Sequence, residues 1–364
     1  MENKHYLFSP GPVTVSEVVK QSLPHDDMCH RVPEFEKVIV STQKNLQKIY
    51  KANDDFTILL ITGSGTAANE TVISSNYSDN DHVLLINNGE FGCRLEELLE
   101  VHGIKTTVMN YDWGELPTLA EIEDQLKENS NITALAMVHH ETSTGLINPV
   151  TQVGNLANQY GKTYFVDAVS AVGGEDVNVV RDHIDLCTTS SNKCLASYPG
   201  VGIICVKKSR IEAIKDYKIK VAYLNLHRLY EYSEKYHQTP NTPSVTMFIA
   251  LEAAVRRIND EGLQNQIDRH KRCAKVIRDG IRKMGLRILV DEKNAANTVT
   301  SVFLPENVEL ESFIQKLEDN GYTVYSGKRH LKEQRMFQIA NMGAITEDIC
   351  EGFLKTVEET LNEY

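Results

Sequence analysis

The feature that most constrains the fold is a regular alternation of apolar runs and helix-length segments between residues 57 and 206. The apolar runs lie at 57–62, 82–87, 134–140, 162–167, 183–187 and 201–206. Apolar strands that alternate with helices are typical of a mostly parallel sheet that is covered by helices on both faces. The alternation therefore predicts an α/β domain. In such a sheet, ligands bind beyond the carboxyl ends of the strands.

The pattern changes after residue 243. Helical segments at about 244–261 and 263–285 lead to further strands and helices at 297–304, 309–320, 322–326, 336–341 and 346–362. These segments predict a smaller α+β domain at the C-terminal end. Two prolines and a glycine in residues 6–13 exclude a helix there and favour an extended arm. We expect an arm over 1–15, a large domain over 16–245 and a small domain over 246–364.

Start and stop signals mark several helices. Thr118 and Glu121 have the spacing of a capping box, in which the two side chains bond to the first turn of a helix. Gly103 and Gly161 stand where two helices are expected to end. The sequence thus predicts helix limits at these three places.

Composition and charge exclude several classes of function. Of the 364 residues, 41% are hydrophobic and 24% charged, which is typical of a globular protein with substantial cores. The formal net charge of -12 and the absence of a basic tract argue against nucleic-acid binding. No run reaches the apolar length of a membrane helix. Seven scattered cysteines without a CxxC pair predict neither a disulfide framework nor a zinc site, so we expect a reducing cytoplasm.

Lys193 is the first candidate for catalysis. It follows a run of small polar residues at 188–192, directly after an apolar segment. A lysine surrounded by hydroxyls rather than carboxylates can lose its proton and attack an aldehyde carbon. Most lysines are solvated surface charges, but Asp167 ends the apolar run one βαβ-type step upstream. This spacing pairs an acid with the lysine.

An acid and a lysine in this order match the needs of pyridoxal phosphate. This cofactor requires a lysine that holds it covalently, a carboxylate at its pyridine nitrogen and a cradle for its phosphate. The segment GSGT at 63–66 lies between a strand-like and a helix-like stretch. Its glycines let the backbone approach a phosphate, and a helix N-terminus supplies N–H donors. An ordinary strand-to-helix turn has the same appearance, but its order with Asp167 and Lys193 favours a cofactor site.

Eight short motifs occur in order over nearly the whole chain. They are FSPGP at 8–12, HRVPEF at 30–35, GSGT at 63–66, NGEFGCR at 88–94, HHETSTG at 139–145, VDAVSAVGG at 166–174, SNKC at 191–194 and TPNT at 239–242. A chain with these motifs resembles the class V, fold-type-I pyridoxal-phosphate aminotransferases, nearest to the 2-aminoethylphosphonate:pyruvate branch. The resemblance implies a large domain with a mostly parallel sheet and a smaller C-terminal α+β domain.

The resemblance also implies roles for single residues. Lys193 matches the lysine that binds the cofactor, and Asp167 matches the partner of the pyridinium nitrogen. The phosphate cradle is implied at Ser64, Gly65 and Thr66.

Four further positions match cofactor contacts of the family. Phe91 falls where an aromatic ring lies over the cofactor, although a core phenylalanine has the same sequence pattern. Thr142 matches a hydroxyl near the cofactor's 3′ oxygen, although an ordinary loop threonine would look identical. Thr239 and Thr242 match a segment that reaches the cofactor phosphate of the neighbouring subunit. The resemblance therefore implies a homodimer with shared active sites.

One position departs from the family pattern. Relatives usually carry an arginine in a small-domain motif like FRIGNxG, where the guanidinium binds the acid group of the substrate. This chain has FQIANMG at 337–343, and Gln338 cannot form a charge-assisted bidentate pair. Arg31 and Arg94 are cations that could face the crevice instead. Each is also a common type of structural ion-pair residue.

The resemblance implies an aminotransferase that moves an amino group between a small primary amine such as 2-aminoethylphosphonate and a 2-oxo acid such as pyruvate. The alternative is a transaminase or lyase that acts on another small amine, of the amino-alcohol phosphate or the serine or alanine–glyoxylate type. A catalytically silent scaffold is disfavoured because Lys193 and Asp167 are both intact.

Overall fold

The computed structural model describes residues 5–23 and 26–364. Residues 1–4 of the expected arm and residues 24–25 of the expected large domain lie outside this part of the chain. In chain order, the first elements are β1 (Tyr6–Leu7), α1 (Glu17–Gln21), α2 (Pro33–Ile49), β2 (Phe56–Thr62), α3 (Gly65–Asn76), β3 (His82–Asn87), α4 (Glu90–Val101), β4 (Lys105–Asn110), α5 (Leu119–Glu128), β5 (Ala134–Val138), β6 (His140–Glu141), β7 (Leu146–Ile147), α6 (Val150–Gln159), β8 (Thr163–Asp167), β9 (Leu186–Ser190) and β10 (Val201–Lys207). The later elements are α7 (Lys208–Ala213), α8 (Leu226–Tyr236), α9 (Val245–Glu261), α10 (Leu263–Lys283), β11 (Arg287–Ile288), a 3-10 turn (Glu292–Asn294), β12 (Val299–Phe303), α11 (Leu310–Asp319), β13 (Tyr322–Thr323), β14 (Tyr325–Ser326), α12 (His330–Glu333), β15 (Met336–Ala340) and α13 (Glu347–Leu361).

A large sheet forms the centre of the molecule. Within the described residues it has seven strands, in the order β2-β10-β9-β8-β5-β3-β4. The five strands from β9 to β4 are parallel to one another, whereas β10 runs antiparallel to β2 and to β9. The strands in the middle of the sheet are buried on both faces, because helices cover both sides. The predicted α/β architecture is confirmed.

Two strands differ from the sequence prediction. The edge strand β4 was not predicted, because it is only partly buried and its first three residues are polar. The strand expected at 183–187 lies instead at Leu186–Ser190, and it is buried throughout. Its polar side chains have partners in the core: the Thr188 hydroxyl donates to Asn69 and the Thr189 hydroxyl to the carbonyl of Val169. Because these hydroxyls are hydrogen-bonded, the strand continues through polar residues. Apolar periodicity alone predicts that it ends earlier.

The expected helix limits are mostly correct. Gly103 and Gly161 follow the ends of α4 and α6 with φ of 66° and 62°, a conformation that glycine adopts without strain. Helix α5 begins directly after Thr118, as predicted, but the prediction of capping-box hydrogen bonds is wrong. The Thr118 side chain makes no capping bond, and Glu121 accepts a hydrogen bond from the Tyr111 hydroxyl at 3.0 Å.

A smaller antiparallel sheet lies in the C-terminal part. In the described chain its strand order is β11-β12-β15-β14. Its apolar face packs with α10, α11 and α13 around Phe313, Phe337 and Phe353. The N-terminal arm lies on this unit: β1 pairs in parallel with β13, and the Phe8 ring stacks on Phe353 at 4.3 Å. The arm thus joins the core of the C-terminal sheet.

Helix α9 packs in the core of the large sheet. Its buried residues Phe248, Leu251 and Val255 belong to the same cluster as Phe35 of α2. The domain limits expected from the sequence remain a prediction, and this packing favours a limit after α9. No helix in residues 5–23 or 26–364 has the length and apolar character needed to cross a membrane.

Candidate active site

A cavity of about 190 Å³ lies beyond the carboxyl ends of β5, β8 and β9. The last residue of each strand, Val138, Asp167 and Ser190, contributes to its wall. Most of the residues expected at a cofactor site line it: Ser64, Gly65, Thr66, Phe91, Thr142, Asp167 and Lys193. The parallel strands end at one edge of the sheet, so residues that are far apart in sequence meet there.

The N-terminus of α3 forms one wall. Ser64 is the N-cap residue, but its side chain makes no capping bond, so the first turn keeps unpaired N–H donors. A Cβ atom at Gly65 would lie 2.7 Å from the Val169 side chain, which explains why glycine stands there. Thr66 adds a hydroxyl that the Arg94 guanidinium approaches at 3.5 Å. This end of the cavity is suited to an anion such as phosphate.

Asp167 supplies the acid of the site and is only 3% exposed. Its carboxylate accepts hydrogen bonds from the Asn69 amide at 2.6 Å and from the Val169 backbone N–H at 2.9 Å. Thr188 donates to the other end of the Asn69 amide at 2.5 Å and fixes its orientation. Burial raises the pKa of Asp167, while the Val169 and Asn69 donors oppose the rise. The sequence analysis missed Asn69, because a polar residue inside a helix carries no distinct signal.

Lys193 faces the cavity beside the N-terminal arm. Its ammonium donates to the carbonyl oxygen of Pro10, and a Cβ atom at Gly11 would lie 2.8 Å from its Nζ. Gly11 has φ of +110°, so both conformation and space favour glycine there. Burial lowers the pKa of Lys193 to about 8. The amine is therefore partly unprotonated near neutral pH, as attack on a carbonyl requires.

Phe91 and Arg94 reach the cavity from the first turns of α4. The guanidinium of Arg94 lies 4.8 Å from the centre of the Phe91 ring. Beneath them, the buried carboxyl of Glu141 accepts hydrogen bonds from the backbone N–H groups of Phe91 and Gly92, each at 3.2 Å. Burial raises the pKa of Glu141 to about 7. Glu141 anchors the helix turn that carries Phe91, a role that the sequence analysis did not assign.

Gln338 does not line the cavity but contacts a residue that does. It is 2% exposed, and its amide donates to the Thr142 carbonyl at 2.6 Å. The Thr142 hydroxyl donates in turn to Ser170 at 2.6 Å. Gln338 therefore connects the small sheet to the wall of the cavity.

Arg31 and the two threonines of the TPNT motif lie outside this cavity. The Arg31 guanidinium donates to Gln238 at 2.6 Å and to the Thr239 carbonyl at 2.9 Å. The Thr239 hydroxyl donates to the Asn241 carbonyl, and Thr242 is exposed. Arg31 thus holds the segment that carries the two threonines.

The cavity wall fits pyridoxal phosphate. It offers a helix N-terminus for a phosphate, the carboxylate of Asp167 for a ring nitrogen and the amine of Lys193 for an aldehyde. Two buried atoms on the wall, Ser190 Oγ and His140 Nε2, have no hydrogen-bond partner in the described structure. Unpaired buried polar atoms are rare in folded proteins, and here they indicate a polar ligand.

Comparison with known proteins decides the family. The model of the aminotransferase class-V family matches residues 14–344. The chain belongs to this family. It is an aminotransferase, and its cofactor is pyridoxal phosphate. The fold type I predicted from the resemblance is thereby confirmed.

Three relatives illustrate the range of this family. An uncharacterized aminotransferase of Methanocaldococcus jannaschii is 35% identical over 99% of this chain and 93% of its own length. A 2-aminoethylphosphonate–pyruvate transaminase of Salmonella heidelberg is 30% identical over 95% of each chain. The structure of ureidoglycine–glyoxylate aminotransferase from Bacillus subtilis superposes with a TM-score of 0.92 at 28% identity, covering 99% of this chain and 93% of that one.

Proposed function

We propose that this aminotransferase moves an amino group between a small primary amine like 2-aminoethylphosphonate and a 2-oxo acid such as pyruvate, with Lys193 as the lysine that binds the cofactor. One observation carries the proposal: a single cavity contains the Lys193 amine, the Asp167 carboxylate and the helix N-terminus at 64–66. The 2-aminoethylphosphonate–pyruvate transaminases that match along 95% of this chain support the choice of substrates.

Asp167, Lys193 and Phe91 would each have a separate role in the transfer of the amino group. Bound pyridoxal phosphate supplies a ring that withdraws electrons from the carbon next to the transferred nitrogen. Asp167, oriented by Asn69 and by the Val169 N–H, would keep the ring nitrogen protonated. Lys193 would accept a proton from that carbon and return it to the carbon on the other side of the transferred nitrogen, and its lowered pKa suits both steps. Phe91 would hold the ring in place by stacking.

We propose further that the enzyme is a cytoplasmic homodimer in which Thr239 and Thr242 contact the cofactor phosphate of the partner subunit. Neither residue lines the cavity of its own chain, and Thr242 is exposed. Arg31 would then be a positioning residue, because its guanidinium holds the 238–240 segment. The cytoplasmic location rests on the cysteine pattern of the sequence alone.

A second candidate is transfer from, or elimination on, a different small amine. Gln338 favours it, because a neutral amide stands where relatives bind the acid group of the substrate. Its donor group is already bonded to the Thr142 carbonyl.

A spectroscopic screen tests the proposal. Holoenzyme is mixed with single amines, and the change in cofactor absorbance that accompanies amino-group transfer is recorded for each. We expect 2-aminoethylphosphonate to react faster than alanine, serine or an amino-alcohol phosphate. A faster reaction with any of these would favour the second candidate. Borohydride reduction of the holoenzyme and peptide mapping should label Lys193, and a label on another lysine would exclude its assigned role.

A further inference from the structure

Arg94 is a charged residue of the cavity wall for which the reaction described above has no use. It lines the cavity from α4 and is partly buried. One guanidinium nitrogen lies 3.5 Å from the Thr66 hydroxyl, which is long for a hydrogen bond, and the group lies 4.8 Å from the centre of the Phe91 ring. Within residues 5–23 and 26–364, no carboxylate forms an ion pair with it. Its N–H donors are therefore available to a ligand.

Other cations described in and around the cavity already have partners. Lys193, the only other lysine or arginine along the described wall, donates to the Pro10 carbonyl. Arg31 lies outside the cavity and holds the 238–240 segment. Arg329 pairs at 2.7 Å with Glu90, the first residue of α4. Arg94 is thus the cation of the wall that can bind an anion.

The end of the cavity at residues 64–66 needs such a cation if it holds a phosphate. A phosphate ester carries a charge of about −1.5 to −2 at pH 7, whereas a helix N-terminus supplies roughly +0.5. Ser64 and Thr66 add only neutral hydroxyls. The guanidinium of Arg94 reaches Thr66 itself, so it lies at this end of the cavity. Its planar set of donors matches two oxygens of a phosphate at once.

We propose that Arg94 binds the phosphate of pyridoxal phosphate and supplies the positive charge that the N-terminus of α3 alone does not. The proposal rests on the proposed place of the cofactor, with its phosphate at residues 64–66 and its aldehyde at Lys193. It assigns Arg94 to the cofactor and not to the acid group of the substrate. Arg94 then does not compensate for the neutral side chain of Gln338.

Pyridoxal, which carries a hydroxyl in place of the phosphate, tests this role. Equilibrium dialysis of apoenzyme gives the dissociation constants of pyridoxal phosphate and of pyridoxal. In Arg94→Met the constant for pyridoxal phosphate should rise by about 10- to 100-fold, because a charge-assisted contact is lost, and the constant for pyridoxal should stay the same. Methionine keeps an apolar contact with the Phe91 ring. Arg94→Lys keeps the charge without the paired donors and should give an intermediate loss.

Arg287→Met is a matched control. The Arg287 guanidinium also lies over a phenylalanine ring, 3.5 Å from the centre of Phe303, but outside the cavity. This variant should bind both compounds as the wild type does, and an equal loss of preference for pyridoxal phosphate in it would overturn the proposal. Equal weakening of both compounds in Arg94→Met would also overturn it, because the residue would then support the wall and not the phosphate. Unchanged binding of both would overturn it as well, and a raised Michaelis constant for 2-aminoethylphosphonate would then assign Arg94 to the substrate.

Chemical labelling of the wild-type protein covers the case in which Arg94→Met does not fold. Phenylglyoxal modifies accessible guanidinium groups, and peptide mapping of labelled apoenzyme gives the rate at each arginine. Inorganic phosphate should slow the labelling of Arg94 and leave that of Arg287 unchanged. No difference at Arg94 with and without phosphate would contradict the proposal. A borohydride label on a lysine other than Lys193 would instead refute the proposed function, so the two failures are distinguishable.

Discussion

Asn69 sets the acidity of Asp167, and its replacement by leucine should shift the pH range in which the enzyme binds its cofactor. The amide donates to the carboxylate at 2.6 Å, and both side chains are 3% exposed, so solvent screening is slight. A hydrogen bond to a charged group contributes about 1.5–3 kcal/mol, which equals roughly 1–2 pKa units. In Asn69→Leu the pKa of Asp167, already raised by burial, should rise further by this amount.

The sign of the effect follows from proton linkage. Asp167 must be ionised when it binds the protonated ring nitrogen, so a protonated free enzyme has to release a proton on binding. Cofactor affinity should therefore fall on the acid side, and the acid limb of a plot of Kd against pH should move up by roughly 1–2 units in Asn69→Leu. Well above the new pKa the two proteins should bind alike, because the carboxylate is then ionised in both.

Titration of apoenzyme with pyridoxal phosphate from about pH 4 to pH 8 measures the acid limb for the wild-type protein and for Asn69→Leu. Ionisations of the cofactor and of Lys193 are common to both proteins and cancel in the comparison. Thr188→Val removes only the 2.5 Å bond that orients Asn69 and should give a smaller shift. Thr71→Val is a control on the same helix, since its buried hydroxyl bonds to the Ala67 carbonyl away from the carboxylate. A folded Asn69→Leu protein with an unshifted acid limb would refute the reasoning.

Two further predictions concern substrate choice and assembly. Gln338→Arg should speed the half-reaction of alanine by about 10- to 100-fold, because a guanidinium adds a charge-assisted contact to the carboxylate. An unchanged alanine rate would mean that another cation already binds this group. Thr242→Val should weaken cofactor binding and reduce the extra dimer stability that the cofactor confers, as measured by sedimentation of apoenzyme and holoenzyme, whereas Thr246→Val on the exposed side of the neighbouring helix should not. Full cofactor affinity in a monomer would contradict the shared site.

Local signals account for much of the sequence prediction that proved correct. Apolar runs that alternate with helix-length segments require a covered parallel sheet, and glycines after α4 and α6 end those helices. Lys193 and Asp167 could be placed together because Asp167 ends one strand and Lys193 follows another, and parallel strands end at one edge. The GSGT turn at 63–66 was added to this pair from its position between a strand and a helix, and the resemblance then matched Ser64, Gly65 and Thr66 to the phosphate cradle.

Other features depend on contacts that sequence spacing does not encode. The hydroxyls of Thr188 and Thr189 look like the end of a strand until their partners in α3 and beside β8 are known. The capping-box spacing at Thr118 does not produce the expected bonds, because Glu121 has a better donor in Tyr111. In both cases the tertiary contacts decide which hydrogen-bond partner each side chain has.

The sequence by itself determined the α/β architecture, the family and the position of the lysine and the acid at one edge of the sheet, because hydrophobic periodicity and motif order are properties of the chain. Only the tertiary structure decided what surrounds these two groups. The Asn69 amide on α3 donates to the Asp167 carboxylate on β8. His140 and Lys193, which are far apart in sequence, line the same cavity. Burial, which sets the pKa values of both reactive groups, arises only when these elements pack together.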